Sequence, residues 1–204
     1  MSASTDHLSD EELLHRFNEG DTSAFGLLLR RYERPLYNFI LRSVRRRERA
    51  DELLQETFLR VIQRSHDFKG QSKLSTWLYT IARNLCIDHG RKMVFRRHRS
   101  LDAPGAAGTE EGPTLLERTA APTAGTDREA IAEDLKRRIA QAVEELPEDQ
   151  REVFLLRQIQ GMPFKEVAEV VGVPVNTVKS RMRYALERLQ RALSEYRDYV
   201  QELQ

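Results

Sequence analysis

Apolar residues recur along this chain at three- and four-residue spacing, and no segment sustains the period-two alternation of a half-buried strand. The pattern therefore predicts an all-α fold. Ser9 and Glu12 have capping-box spacing ahead of a short amphipathic helix that stops near Gly20. Asp21 can cap the next helix, AFGLLLRRYERPLYNFILRSV, in which Pro35 should produce a kink or a break because it lacks an N–H and crowds the preceding turn. A third helix is expected from about Asp51 to Ser65, after the basic link RRRERA, and a fourth from about Ser75 to Arg91, after the loop DFKGQSK. Thr126 and Glu129 repeat the capping-box spacing and open a helix that runs to about Glu145. Pro147 suits the first turn of the next helix, EDQREVFLLRQIQG, which Gly161 ends.

The last two helical patterns belong together. PFKEVAEVVG places Val167, Ala168 and Val171 inward and Gly172 where a tight turn needs a residue that tolerates positive φ. In GVPVNTVKSRMRYAL and the residues after it, Met182, Ala185 and Leu189 fall within about 40° of Val178 on a helical wheel. Asn176, Lys179, Ser180, Arg183 and Tyr184 occupy the opposite half, an array of donors with one aromatic and no acid before Glu187. Helix, glycine turn and a second helix with a polar, basic outer face are the marks of a helix-turn-helix whose second helix enters the DNA major groove. Any helical hairpin in an all-α domain can show an inward triplet and a solvated basic face, so this stretch alone leaves both readings open.

Charge and composition divide the chain. The net charge of +1 is the sum of +6 over residues 1–100, −6 over 101–135 and +1 over 136–204. Residues 101–126 hold six alanines with Pro, Gly and Thr and show no apolar period, which predicts a flexible acidic linker between a domain at 1–100 and another at 127–204. No run approaches the ~18 apolar residues of a membrane helix. The start, MSASTDHLSDEELL, lacks the basic opening and apolar core of a signal peptide, so a cytoplasmic chain without membrane insertion is expected. The lone Cys86 sits between Leu85 and Ile87 in a helical pattern and reads as a small packed hydrophobe. His7, His15, His66, His89 and His98 lie on separate elements without metal-site spacing, and no phosphate loop, nucleophile elbow or dinucleotide fingerprint occurs. The reading is of a protein that is not an enzyme, with no metal, no cofactor and no small-molecule substrate.

Three segments resemble one family in order and spacing. ADELLQETFLRVI is similar to the second region of bacterial sigma-70 factors, FKGQSKLSTWLYTIARNLCIDHGRK to the part of that region that handles the minus-10 element, and LPEDQREVFLLRQIQGMPFKEVAEVVGVPVNTVKSRMRYALERL to region four. The resemblance covers roughly residues 9–95 and 127–195, and the lack of any further domain between them resembles the extracytoplasmic-function group.

The resemblance implies a transcription initiation factor that binds core RNA polymerase and directs it to promoter DNA. Its partners would be the clamp coiled coil of the largest polymerase subunit, the flap of the second-largest, and an anti-sigma factor. Glu52, Leu53, Gln55, Glu56 and Phe58 match the clamp contact. Phe68, Lys69, Gln71, Ser72, Lys73 and Trp77 match the single-strand reader of the minus-10 element, continued by Arg83, Asn84, Arg91 and Lys92. A short polar loop can surround an extruded base while an aromatic stacks nearby; Trp77 also lies on a stripe with Ile81 and Leu85, so core and DNA wedge both remain open for it. Asn176, Thr177, Lys179, Ser180, Arg183 and Tyr184 match the minus-35 reader, with Arg181 and Arg188 as flanking phosphate contacts. Arg183 and Tyr184 depart from the family's usual residues, which leaves the preferred minus-35 sequence open, and Pro163 stands where relatives place a polar cap, which is compatible with a helix start and leaves the cap geometry open.

Two other classes compete. A stand-alone helix-turn-helix regulator would need a sensing or dimerising N-terminal domain, and an adaptor that binds only proteins would have no use for the basic, acid-poor face at 176–184.

Overall fold

The computed structural model describes residues 7–101 and 127–194. Every regular element among them is helical: α1 Asp10–Asn18, α2 Thr22–Val44, α3 Arg47–Arg64, a 3-10 turn Ser65–Asp67, α4 Leu74–Leu101, α5 Asp127–Glu144, α6 Glu148–Phe154, a π-helical turn Leu155–Ile159, α7 Phe164–Val171 and α8 Val175–Ala192. The described parts of Met1–Glu110 together with Lys165–Gly172 form one compact unit, and those of Glu111–Phe164 with Val173–Gln204 form a second. The expected linker at 101–126 and the Thr126 cap lie outside the described residues, apart from Leu101, which ends α4.

Local signals account for most boundaries. Ser9 Oγ accepts from the Glu12 N–H at 3.2 Å and Asp21 Oδ1 from the Ser23 N–H at 3.0 Å, satisfying donors that the first turns of α1 and α2 leave unpaired. Pro35 neither breaks nor ends α2, which runs from Thr22 to Val44 around it. Leu28, Leu36, Phe39 and Ile40 are buried on both sides of the proline, and that burial offsets the ~3 kcal/mol an interior proline costs. α3 begins at Arg47 rather than Asp51, so most of the basic link is helical and only Arg45 and Arg46 separate α2 from α3. Arg45 makes that turn with φ 59°.

In the first unit α1, α2, α3 and α4 pack on one another. Leu13, Leu14, Phe25, Phe39, Phe58, Val61, Leu78 and Tyr79 are among its buried side chains. Phe25 meets Phe58 edge-on at 6.3 Å and Phe39 meets Tyr79 at 5.3 Å, the perpendicular geometry that aromatic quadrupoles favour. In the second unit α8 packs on α5 and α6, burying Val143, Leu146, Val153 and Leu156 with its own stripe of Val178, Met182, Ala185 and Leu189. No helix among the described residues is long and apolar enough to cross a membrane.

Candidate nucleic-acid interface

α8 buries one face and offers the other. The four residues of its predicted apolar stripe are all buried, while Asn176, Lys179, Ser180, Arg183, Tyr184 and Arg188 are exposed and Thr177 is half-buried. The chain reaches α8 through Gly172, whose φ of 71° only a glycine adopts without strain. The Arg183 guanidinium stacks over the Tyr184 ring at 4.7 Å and lies 3.7 Å from Glu187 Oε1. Ser180 Oγ donates to the Asn176 carbonyl at 2.8 Å, which spends its proton inside the helix and leaves its lone pairs facing out. Arg181 differs from its neighbours: it is half-buried and its Nε pairs with Asp149 Oδ2 of α6 at 3.1 Å.

The segment between α3 and α4 is polar and open at its tip. Lys69, Gln71 and Lys73 are exposed, Ser72 is half-buried, and Gly70 turns the chain with φ 67°. Within the first unit the Lys73 ammonium pairs with Glu166 at 2.7 Å, which raises its pKa. Phe68 and Trp77 are half-buried against each other, ring centroids 5.4 Å apart, whereas Ile81 and Leu85 further along the Trp77 stripe are buried. Asn84 and Arg91 follow Trp77 at seven-residue steps, within about 40° of it on the helix, and Lys92 lies about 60° away; all three are exposed, and Arg83 is half-buried. One side of α4 thus carries an aromatic at the loop and donors beyond it.

α3 presents a third polar face. Glu52 and Gln55 are exposed and Glu56 is half-buried; Arg49 pairs with Glu52, and Arg60 Nε lies 2.9 Å from Glu56 Oε1. Leu53 is half-buried, but Phe58 is only 8% exposed and belongs to the core, so it cannot supply the apolar edge of this face. Leu59 and Ile62 supply it instead, 53% and 40% exposed. With Glu52 at zero, Leu59 falls at about −20° and Phe58 at about −120°, a difference that the helical wheel alone contains. Among the described residues no three of His, Cys, Asp and Glu come together where they could hold a metal ion.

Comparison with known proteins identifies the family. Residues 28–94 match the family described as Sigma-70 region 2, and residues 136–189 the one described as Sigma-70, region 4. Over 187 residues the chain is 32% identical to the RNA polymerase sigma-H factor of Pseudomonas aeruginosa and 31% identical to the ECF RNA polymerase sigma-E factor of Escherichia coli K12, in each case covering 90% of this chain and 93% of the relative. This chain is an extracytoplasmic-function sigma factor of the sigma-70 family. Its fold is similar to that of the sigma factor RpoE of Bartonella quintana, solved in complex with the anti-sigma factor NepR, with a TM-score of 0.62 and 25% identity over 83% of this chain and 96% of that one. CnrH, solved in complex with the cytosolic domain of CnrY, gives the same TM-score of 0.62 at 22% identity, covering 91% and 97%. In the sigma factor α3 and the loop with the start of α4 fall inside residues 28–94, and the end of α5, α6, α7 and most of α8 inside residues 136–189.

Proposed function

We propose that this sigma factor binds core RNA polymerase through the outer face of α3, reads the minus-35 element with the outer face of α8, and reads the minus-10 element as a single strand with residues 67–73 and the Trp77 side of α4. The observation that carries the reading is the division of α8: four apolar residues buried, and Asn176, Lys179, Ser180, Arg183 and Tyr184 exposed on the other side. Major-groove recognition calls for that arrangement, donors toward base edges and phosphates with the helix held from behind. On α3, acids flank exposed Leu59 and Ile62, which suits a partner helix that is basic and apolar in register. The proposal includes the domain division at 1–100 and 127–204, with the 101–126 segment between, and a cytoplasmic site of action with the polymerase. An anti-sigma protein is a further partner in this proposal, supported by the complex in which the Bartonella relative was solved. The protein catalyses no reaction of its own.

Purified chain added to core polymerase, with transcript 5′ ends mapped genome-wide, tests the proposal. Starts that share spaced minus-35 and minus-10 elements are expected. Sequence-specific DNA binding by the free chain, with no change in the starts that core polymerase selects, would favour a stand-alone regulator instead.

A further inference from the structure

α1 meets the loop at both of its ends. Asn18 Nδ2 donates to the Ser65 carbonyl at 3.1 Å, where α3 gives way to the 3-10 turn, and Glu11 Oε1 accepts from the backbone N–H of Leu74 at 2.9 Å, where α4 begins. Glu11 and Asn18 are seven residues apart, so they share one face of α1 at a separation of about 10 Å along its axis. Ser65 and Leu74 are buried, whereas Lys69, Gly70 and Gln71 between them are exposed. One helix therefore grips the two roots of the loop and leaves its tip in solvent.

α1 is itself held fast. Arg31 Nη1 of α2 donates to the Leu8 carbonyl at 2.8 Å and to Asp10 Oδ1 at 2.8 Å, and the Tyr32 hydroxyl donates to Asp10 Oδ2. Burial, with Asp10 alongside, pushes the Tyr32 phenol far above its ordinary range, so it remains a donor to Asp10. The identity of the gripping residues also carries information. Asn18 Oδ1 is buried with no partner, a penalty that an apolar side chain would avoid, so the amide is a poor choice for stability and a good one for holding the Ser65 carbonyl.

We infer that Glu11 and Asn18 are positioning residues for minus-10 reading: α1 fixes the span between the roots of the single-strand loop and thereby sets its base preference from outside it. The inference rests on the assignment of that loop to the minus-10 element. A loop whose ends are held at one separation presents its tip in one conformation, and base readout by side chains needs that preorganisation.

The test uses the full chain assembled with core polymerase on two promoter panels, one with every single-base change in the minus-10 element and one with every change in the minus-35. Open-complex formation is scored by permanganate reactivity. Glu11→Ala and Asn18→Ala are expected to shrink the spread between best and worst minus-10 sequences by about tenfold, with minus-35 preference and core affinity as in wild type. Glu11→Gln, which keeps an acceptor oxygen, should restore most of that spread. Unchanged minus-10 preference in both alanine variants overturns the inference. So does an equal loss on every promoter, or a parallel loss of core affinity, because either marks a general support of the fold. Gln71→Ala separates the two levels: if it alters minus-10 preference while the α1 variants do not, the loop assignment stands and the inference falls alone, and if it leaves that preference intact, both fall.

Discussion

Arg181 of α8 and Asp149 of α6 are joined within the C-terminal unit, guanidinium Nε to carboxylate Oδ2 at 3.1 Å. The sequence suggests a phosphate contact for Arg181, but its side chain is only 25% exposed and already has an anionic partner. Arg188 is exposed. Arg188→Ala is expected to reduce the magnitude of the salt slope of promoter binding by about one unit. Arg181→Ala should leave that slope near wild type and instead cost about 0.5–1 kcal/mol of stability, as a partly exposed ion pair does. Thermal melts and filter binding across a salt series check both; a slope change confined to Arg181→Ala would reverse the assignment.

Arg183 stands outward on α8, stacked on Tyr184 with Glu187 beside it. Arg183→Ala should cost about 1–3 kcal/mol on the preferred minus-35 sequence and much less on mismatched ones, because a base contact discriminates. On the proposed docking of α8, Glu187→Gln removes a carboxylate that would repel the DNA backbone and is expected to tighten binding on all sequences alike at low salt. Run-off transcription on minus-35 point variants distinguishes the two outcomes.

Phe58 and Leu59 are adjacent in α3 and should respond oppositely. Phe58, buried and edge-on to Phe25, should cost about 3–5 kcal/mol of stability on replacement by Ala. Leu59→Ser should leave the melting temperature within a degree or two, since a surface change rarely exceeds about 0.5 kcal/mol. It should nonetheless weaken assembly with core polymerase by roughly tenfold, the equivalent of one 1.4 kcal/mol contact. Fluorescence anisotropy of labelled chain titrated with core reads the second effect; wild-type affinity in Leu59→Ser would remove this face from the interface.

Trp77 is the chain's sole tryptophan, half-buried against Phe68. Replacing it by Ala should cost holoenzyme about 1–3 kcal/mol of affinity for fork DNA with an unpaired minus-10 strand, the range of one base–aromatic stack. Affinity for the fully paired duplex should change less. An equal loss on both substrates, accompanied by a large fall in melting temperature, would make Trp77 a core residue alone. In the free chain, Phe68→Ala should shift Trp77 emission to the red by opening one side of the indole to water.

The features legible in the sequence are those that one helix determines by itself. The Val178 stripe, the Ser9 and Asp21 caps and the positive φ of Gly172 follow from periodicity and local backbone chemistry, and the structure has all of them. Pro35 is less legible because its consequence depends on burial elsewhere along α2, and the ends of α3 and α4 because polar residues continue a helix without marking it. Phe58 is a case of another kind: the family resemblance places it with the clamp contact, while its angular position and its burial place it in the core. The pairing of Arg181 with Asp149 joins positions 32 residues apart, and the contacts from Asn18 and Glu11 join positions separated by 47 and 63. No periodicity encodes such distances.

The π-helical turn at Leu155–Ile159 gives the second unit a dependence on residue count. Val153, Phe154, Leu155 and Leu156 are consecutive and all buried, although four neighbours in a regular helix sweep about 300° and cannot share one face. The wide turn, closed by the Gln160 N–H on the Leu155 carbonyl at 3.1 Å, holds one residue more than an α-turn and so shifts the angular phase of the residues beyond it by about 100°. The direction in which the chain leaves α6 is thus set by residue count as much as by side-chain chemistry. Replacing exposed Gln158 keeps the residue count, whereas excising it would return the turn to α geometry and rotate the chain that leaves α6 by about 100°.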